Sequence, residues 1–188
     1  MPIQKVTKEE VVKQALFLFK KQGYHRTSMS DLSAACGLQK GSFYHYFTSK
    51  DALMLEVLDT VHQYFATRVF AIAYDESLMP RERLEKMIAK QIYVAASTEG
   101  GCLMGNMAIE TALVTQEFLP KMREFFEEYL RALAHLYSFK WEPTTAQKLA
   151  EQAIVEYEGA WIMVKLTQNN HFLQDVLQRA LDRFDAVN

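Results

Sequence analysis

Two short stretches of the chain carry side chains that could do chemistry. Residues 38–50 read LQKGSFYHYFTSK, a mixture of aromatics, a histidine, a glycine and two lysines that packing alone does not require. Hydroxyl, imidazole and ammonium groups displayed on one short helix are the donors that meet phosphate oxygens and base edges of a duplex. Residues 99–110 read EGGCLMGNMAIE. Here Cys102 follows a glycine pair and falls in the first turn of an expected helix, where free N–H groups and the helix dipole favour a thiolate. Nucleophile elbows, phosphate loops and metal-spaced His/Cys sets do not occur, and the five histidines are scattered at 25, 45, 62, 135 and 171. The expectation is a binding protein and not an enzyme, with no cofactor and no metal.

The elements that must position these residues are helical. At 49% hydrophobic and 23% charged, the 188 residues can fill a core. No run of about 18 apolar residues and no apolar leader occurs, so the chain is expected in the cytoplasm, away from any membrane. Two cysteines are too few for a disulfide framework. Residues 1–50 hold eight Lys and Arg against three Asp and Glu, whereas residues 51–188 hold 13 against 20. A basic end on an acidic body points to a polyanion partner at one end only.

Helix signals run throughout, with no convincing strand. Thr7 starts a helix with an apolar stripe at Val12, Ala15, Leu16 and Phe19, and Gly23 stops it. Thr27 or Ser28 caps a second, with Met29, Leu32 and Ala35 inward, ending at Gly37; Gln39–Phe47 forms a third; Ser49 caps a fourth from Lys50. Further helices are expected from Pro80 to about Thr98, Cys102 to about Val114 and Glu117 to Phe139. After a turn at WEP (141–143), Thr144 or Thr145 caps one running to about Thr167, and Phe172–Phe184 closes the chain. The fold class is all-α with about nine helices: a three-helix module over 1–50 and a helical domain over 51–188.

Two short helices divided by CGL have the form of a helix-turn-helix, which lays its second helix in the major groove. Leu38, Phe43 and Phe47 have the spacing to pack, which leaves Gln39, Lys40, Ser42, Tyr44, His45 and Tyr46 outward. The run TSMSDLSAACGLQKGSFYHYFTSKDAL resembles the DNA-binding signature of the TetR/AcrR family of transcriptional regulators. The resemblance rests on Thr27–Ser28, Ala35-x-Gly37, Gly41, Tyr44-x-Tyr46-Phe47 and Ser49-Lys50-x-x-Leu53, and it covers about the first 60 residues. It implies a repressor that binds a palindromic double-stranded DNA operator as a homodimer and is released by a small-molecule effector. It also implies phosphate contacts from Thr27, Tyr44, Tyr46 and Lys50, groove-facing positions at Lys40, Ser42 and His45, and close backbone approach at Gly41.

A helix-turn-helix module reads one half-site, so a dimer surface is required. The last two helices, about 144–167 and 172–184, offer Ile154, Tyr157, Gly159, Ala160, Trp161 and Val164, then Phe172, Val176, Leu177, Leu181 and Phe184. Two from each subunit would form a four-helix bundle. Twelve Phe, nine Tyr and nine Met fit an adaptable apolar effector cavity. Its expected residues are Tyr93, Met104, Met107, Phe126 and Trp161, with Glu110 or His62 orienting the effector. The segment 99–110 is similar to NemR-like members of the family, which respond to electrophiles or reactive chlorine through a cysteine near this helix start. That implies oxidation or alkylation of Cys102 as the alternative trigger, with Lys165 stabilising the thiolate; the plain alternative is a buried core cysteine. A helical small-molecule-binding protein without DNA regulation is the remaining rival.

Overall fold

Capping chemistry fixes where the first helices begin. The computed structural model describes residues 6–186, and these contain nine α-helices and no strand. Helix α1 (Lys8–Gln22) opens with a capping box: Thr7 Oγ1 accepts from Glu10 N at 3.2 Å, and Glu10 Oε2 accepts from Thr7 N at 2.8 Å. Helix α2 (Met29–Ala35) repeats the device with Ser28 and Asp31. Ser49 Oγ accepts from Ala52 N at 3.0 Å at the start of α4 (Lys50–Arg68). Between them α3 is only Lys40–Phe43, shorter than the expected 39–47. His45 and Tyr46 donate to carbonyls three residues back, so the chain tightens and stops as Phe47 turns into the core.

The later helices are α5 (Pro80–Ala96), α6 (Leu103–Thr111), α7 (Leu119–Tyr137), α8 (Pro143–Thr167) and α9 (His171–Asp185), with 3-10 turns at Phe70–Tyr74 and Gln116–Phe118. Helix α8 begins inside the expected WEP turn, because Pro143 occupies its first position, where a missing N–H costs nothing. Contacts divide the chain into two compact units: Met1–Val61 with Thr98–Met122, and His62–Ser97 with Arg123–Asn188. The first unit therefore includes α6, well beyond residue 50.

In the first unit Val11, Ala15, Phe19, Leu32, Phe43 and Leu53 are each 1% exposed or less. Full burial of such a side chain stabilises by about 1.5–3 kcal/mol. Ala35, expected inward, is exposed, and Ser33 takes the buried place. The end of α1 is gripped by the loop before α6. Lys20 Nζ donates to Thr98 Oγ1 at 2.5 Å, Lys21 pairs with Glu99 at 3.1 Å, and Asn106 Nδ2 donates to the Gly100 carbonyl at 2.8 Å.

The second unit is built on an aromatic column. His62, Phe65 and Phe70 surround Phe125 at 5.3–5.8 Å between ring centres; Phe70 stacks on Tyr129 at 5.3 Å, Tyr129 meets Tyr157, and Tyr157 meets Trp161. Helices α8 and α9 are fastened by Glu156, which pairs with Arg179 and Arg183, and Trp141, ahead of α8, donates from Nε1 to the Arg183 carbonyl. No helix among the described residues is long and apolar enough to cross a membrane.

Gly100 has φ of +103°, and a Cβ there would lie 2.1 Å from the Lys20 carbonyl oxygen. Gly100→Ala is expected to lower stability by about 2–4 kcal/mol, from backbone strain plus the clash. Denaturant unfolding measures it, and an unchanged midpoint would contradict this packing.

Candidate nucleic-acid interface and effector residues

The outward face of α3 is built by what lies beneath it. Phe43 (0% exposed) and Phe47 (5%) are sunk in the core, and this turns Lys40, Ser42, Tyr44 and His45 to solvent. None of these four side chains makes a hydrogen bond or ion pair to another described residue, and Tyr44 is 42% exposed. The display holds an ammonium, two hydroxyls and an imidazole, all with free donors for phosphates or base edges. Gly41 lies among them with no atom within 4 Å of where its Cβ would be. A helical glycine costs about 0.5–1 kcal/mol relative to alanine, and nothing inside the protein calls for it.

Three other residues expected on phosphates have partners within the module. Thr27 is 1% exposed; its hydroxyl donates to the Gly23 carbonyl at 2.6 Å and accepts from Gln22 Nε2 at 3.2 Å. Tyr46 spends its one hydroxyl proton on the Val6 carbonyl at 2.6 Å. Lys50 Nζ donates to the carbonyls of Tyr24 (2.9 Å) and Thr27 (3.0 Å) and sits 4.1 Å above the Tyr24 ring. Burial, followed by the bond to Asp51, pushes the Tyr24 hydroxyl far above the ordinary tyrosine range, so it stays a donor. Thr27, Tyr46 and Lys50 thus build the module that presents α3.

The residues expected around an effector divide between the two units. In the first, Met104 and Met107 are buried, and Glu110 accepts backbone bonds from Tyr24 and His25. Cys102, 7% exposed, is the N-cap of α6, its Sγ accepting from Gly105 N at 3.4 Å. In the second, His62 is buried with Nε2 at 2.7 Å from Glu128, so its polar edge has a protein partner. Phe126 lies edge-on to Phe125, Lys165 is exposed in the last turn of α8, and Tyr93 is 74% exposed. Trp161 is 6% exposed, and its indole N–H has no hydrogen-bond partner. Sequence reasoning missed Gln91, which is 1% exposed with an unpaired Oε1. Its signal was its register: Leu84, Met87, Ile88 and Ala95 make the buried apolar stripe of α5, and Gln91 falls within it, with Arg83 the other buried polar residue of the helix. No metal-holding cluster occurs among the described residues.

Comparison with known proteins decides the family. Residues 11–57 match the model described as bacterial regulatory proteins, tetR family, and residues 80–179 match the LmrA/YxaF-like transcriptional regulator C-terminal domain. The chain belongs to the TetR family. The HTH-type transcriptional repressor DhaR of Mycobacterium sp. (strain GP1) is 24% identical over 177 residues, covering 90% of this chain and 88% of DhaR. A TetR transcriptional regulator from Legionella pneumophila superposes with a TM-score of 0.85 at 24% identity, covering 96% of this chain and 97% of that one. Reduced E. coli NemR gives 0.77 at 19%, covering 92% and 94%; these two likenesses concern the fold alone. The protein is thus a DNA-binding transcriptional regulator whose helix-turn-helix is α2 and α3.

Lys40→Ala is expected to weaken operator binding by about 1–3 kcal/mol and to relax discrimination at one base position, as removal of one groove contact does. Gly41→Ala is expected to hold or raise thermal stability while weakening operator binding. DNA-binding titrations over a salt series, paired with thermal melts, check both; operator binding by Gly41→Ala at wild-type strength would contradict close approach.

Proposed function

We propose that this TetR-family protein is a cytoplasmic repressor that binds a palindromic operator as a homodimer and is released by a small neutral effector held in its body. The observation that carries the DNA half is the α3 face: Lys40, Ser42, Tyr44 and His45 are outward and uncommitted, around a glycine that no internal contact requires. Lys40, Ser42 and His45 would meet the groove, and Tyr44 a phosphate. The reading requires no catalytic step.

The dimer reading is supported by α8. Tyr157, Ala160 and Trp161, with Val176, Leu181 and Phe184 of α9, are buried within the chain and are not free for a partner. A different stripe is uncovered: Val155 (71% exposed), Ile162 (45%) and Leu166 (74%), with Gly159 between them, at i, i+4, i+7 and i+11. Apolar residues at that spacing make one face, and Gly159 has open space where a side chain would be. A second copy seated on this face would pair two modules on a palindrome.

For the effector, Gln91 Oε1 and Trp161 Nε1 are two buried polar atoms without a hydrogen-bond partner among the described residues. An unpaired buried acceptor or donor costs roughly 1–3 kcal/mol, and a hydroxyl, carbonyl or amide on a largely apolar molecule would satisfy it. A second trigger is supported by Cys102, since alkylation or oxidation would remove the sulfur that caps α6.

Ile162→Asp is expected to convert a dimer to a monomer in sedimentation, with operator binding lost at concentrations that saturate the wild type; a stable dimer would sink the α8 reading. Gln91→Leu is expected to keep or raise the melting temperature while weakening effector release. Cys102→Ser retains a capping oxygen, so persistence of release in that variant leaves the reversible site as the trigger, and its loss assigns the thiol.

A further inference from the structure

The helix-turn-helix takes part of its geometry from a carboxylate outside it. The turn from Gly23 to Ser28 joins α1 to α2, and two successive backbone N–H groups in it point at Glu110 on α6. Tyr24 N donates to Oε2 at 2.9 Å and His25 N to Oε1 at 2.7 Å. Both are charge-assisted bonds, the stronger class of backbone contact. Gly23 leaves room for them, since a Cβ at that position would lie 3.0 Å from Oε2 and 3.1 Å from Oε1. The same turn is held by α4, where the Tyr24 hydroxyl donates to Asp51 and Lys50 Nζ donates to the Tyr24 and Thr27 carbonyls. Phe118 closes edge-on against the Tyr24 ring at 5.2 Å. Ser28, the N-cap of α2, lies three residues past His25 in the same turn, so what holds Tyr24 and His25 bears on the start of the helix that leads into α3.

We propose that Glu110 is a positioning residue for operator recognition: it lies outside residues 11–57, touches no DNA, and aims α2 and α3 by holding the Tyr24 and His25 amides. The charge that binds any duplex is supplied by lysines and arginines, which Glu110 does not touch. Its loss should therefore reduce discrimination for the operator and leave sequence-independent binding alone.

Glu110→Gln in the full chain is the test, because it keeps size and shape but presents one oxygen and one NH2, which leaves one backbone N–H facing a donor. The expected result is roughly tenfold weaker binding to operator DNA. Binding to random-sequence DNA and the salt slope should be unchanged, and amide hydrogen exchange at Tyr24 and His25 faster. Glu117→Gln, an exposed carboxylate in the same unit, should change none of these. Equal losses on operator and random DNA would indicate a merely structural residue, and unchanged operator affinity would show that the contact does not aim the module; either overturns the proposal. Should Glu110→Gln not fold, Glu110→Asp, which keeps both oxygens one methylene short, carries the same comparison with a smaller selective loss expected. Absence of operator binding by the wild type would instead count against the α3 reading itself.

Discussion

A recognition helix of four residues has no stability of its own. Nucleating a helical turn is unfavourable, and even alanine-rich helices shorter than about 12 residues are marginal in water. Helix α3 (Lys40–Phe43) exists because the rest of its unit holds it: Phe43 and Phe47 from below, the Tyr46 hydroxyl by its bond to Val6, and α2 by its own capping box. The α1–α2 turn is the centre of that support, with Tyr24 buried and bonded to residues of α4 and α6. The side chains that α3 turns to solvent are those the scaffold does not use.

This constraint explains which parts of the site the sequence made legible. Local chemistry was readable: Thr7, Ser28 and Ser49 cap as their types and spacing imply, and the outward placement of Lys40, Ser42, Tyr44 and His45 follows from the packing of Phe43 and Phe47. Partners distant in sequence were not. Thr27, Tyr46 and Lys50 carry polar tips that suit phosphates, and nothing local reveals that Gly23, Val6 and the Tyr24 carbonyl claim them. Glu110 looked like an orienting group for an effector, and its partners lie 85 and 86 residues earlier in the chain.

The body shows the same division. Helix α8 is apolar on two faces, so periodicity alone does not say which is core; Tyr157, Ala160 and Trp161 are, while Val155, Ile162 and Leu166 are uncovered. Gln91 shares the register of the apolar stripe of α5, so periodicity alone does not separate it from the exposed polar residues of that helix. Fold class and family were legible because they rest on many weak local signals that agree. The buried polar atoms left unmatched in the body, Gln91 Oε1 and Trp161 Nε1 among them, were not legible, because which polar atoms go unpaired depends on contacts distant in sequence.

The central claim is that α3 presents a surface for duplex DNA, and footprinting on the DNA flanking the protein's own gene tests it most directly. The account predicts two protected half-sites related by a dyad, about one helical turn apart or a multiple of it, with protection fading as salt rises. Uniform coating without half-sites, or no protection at low salt, would contradict it.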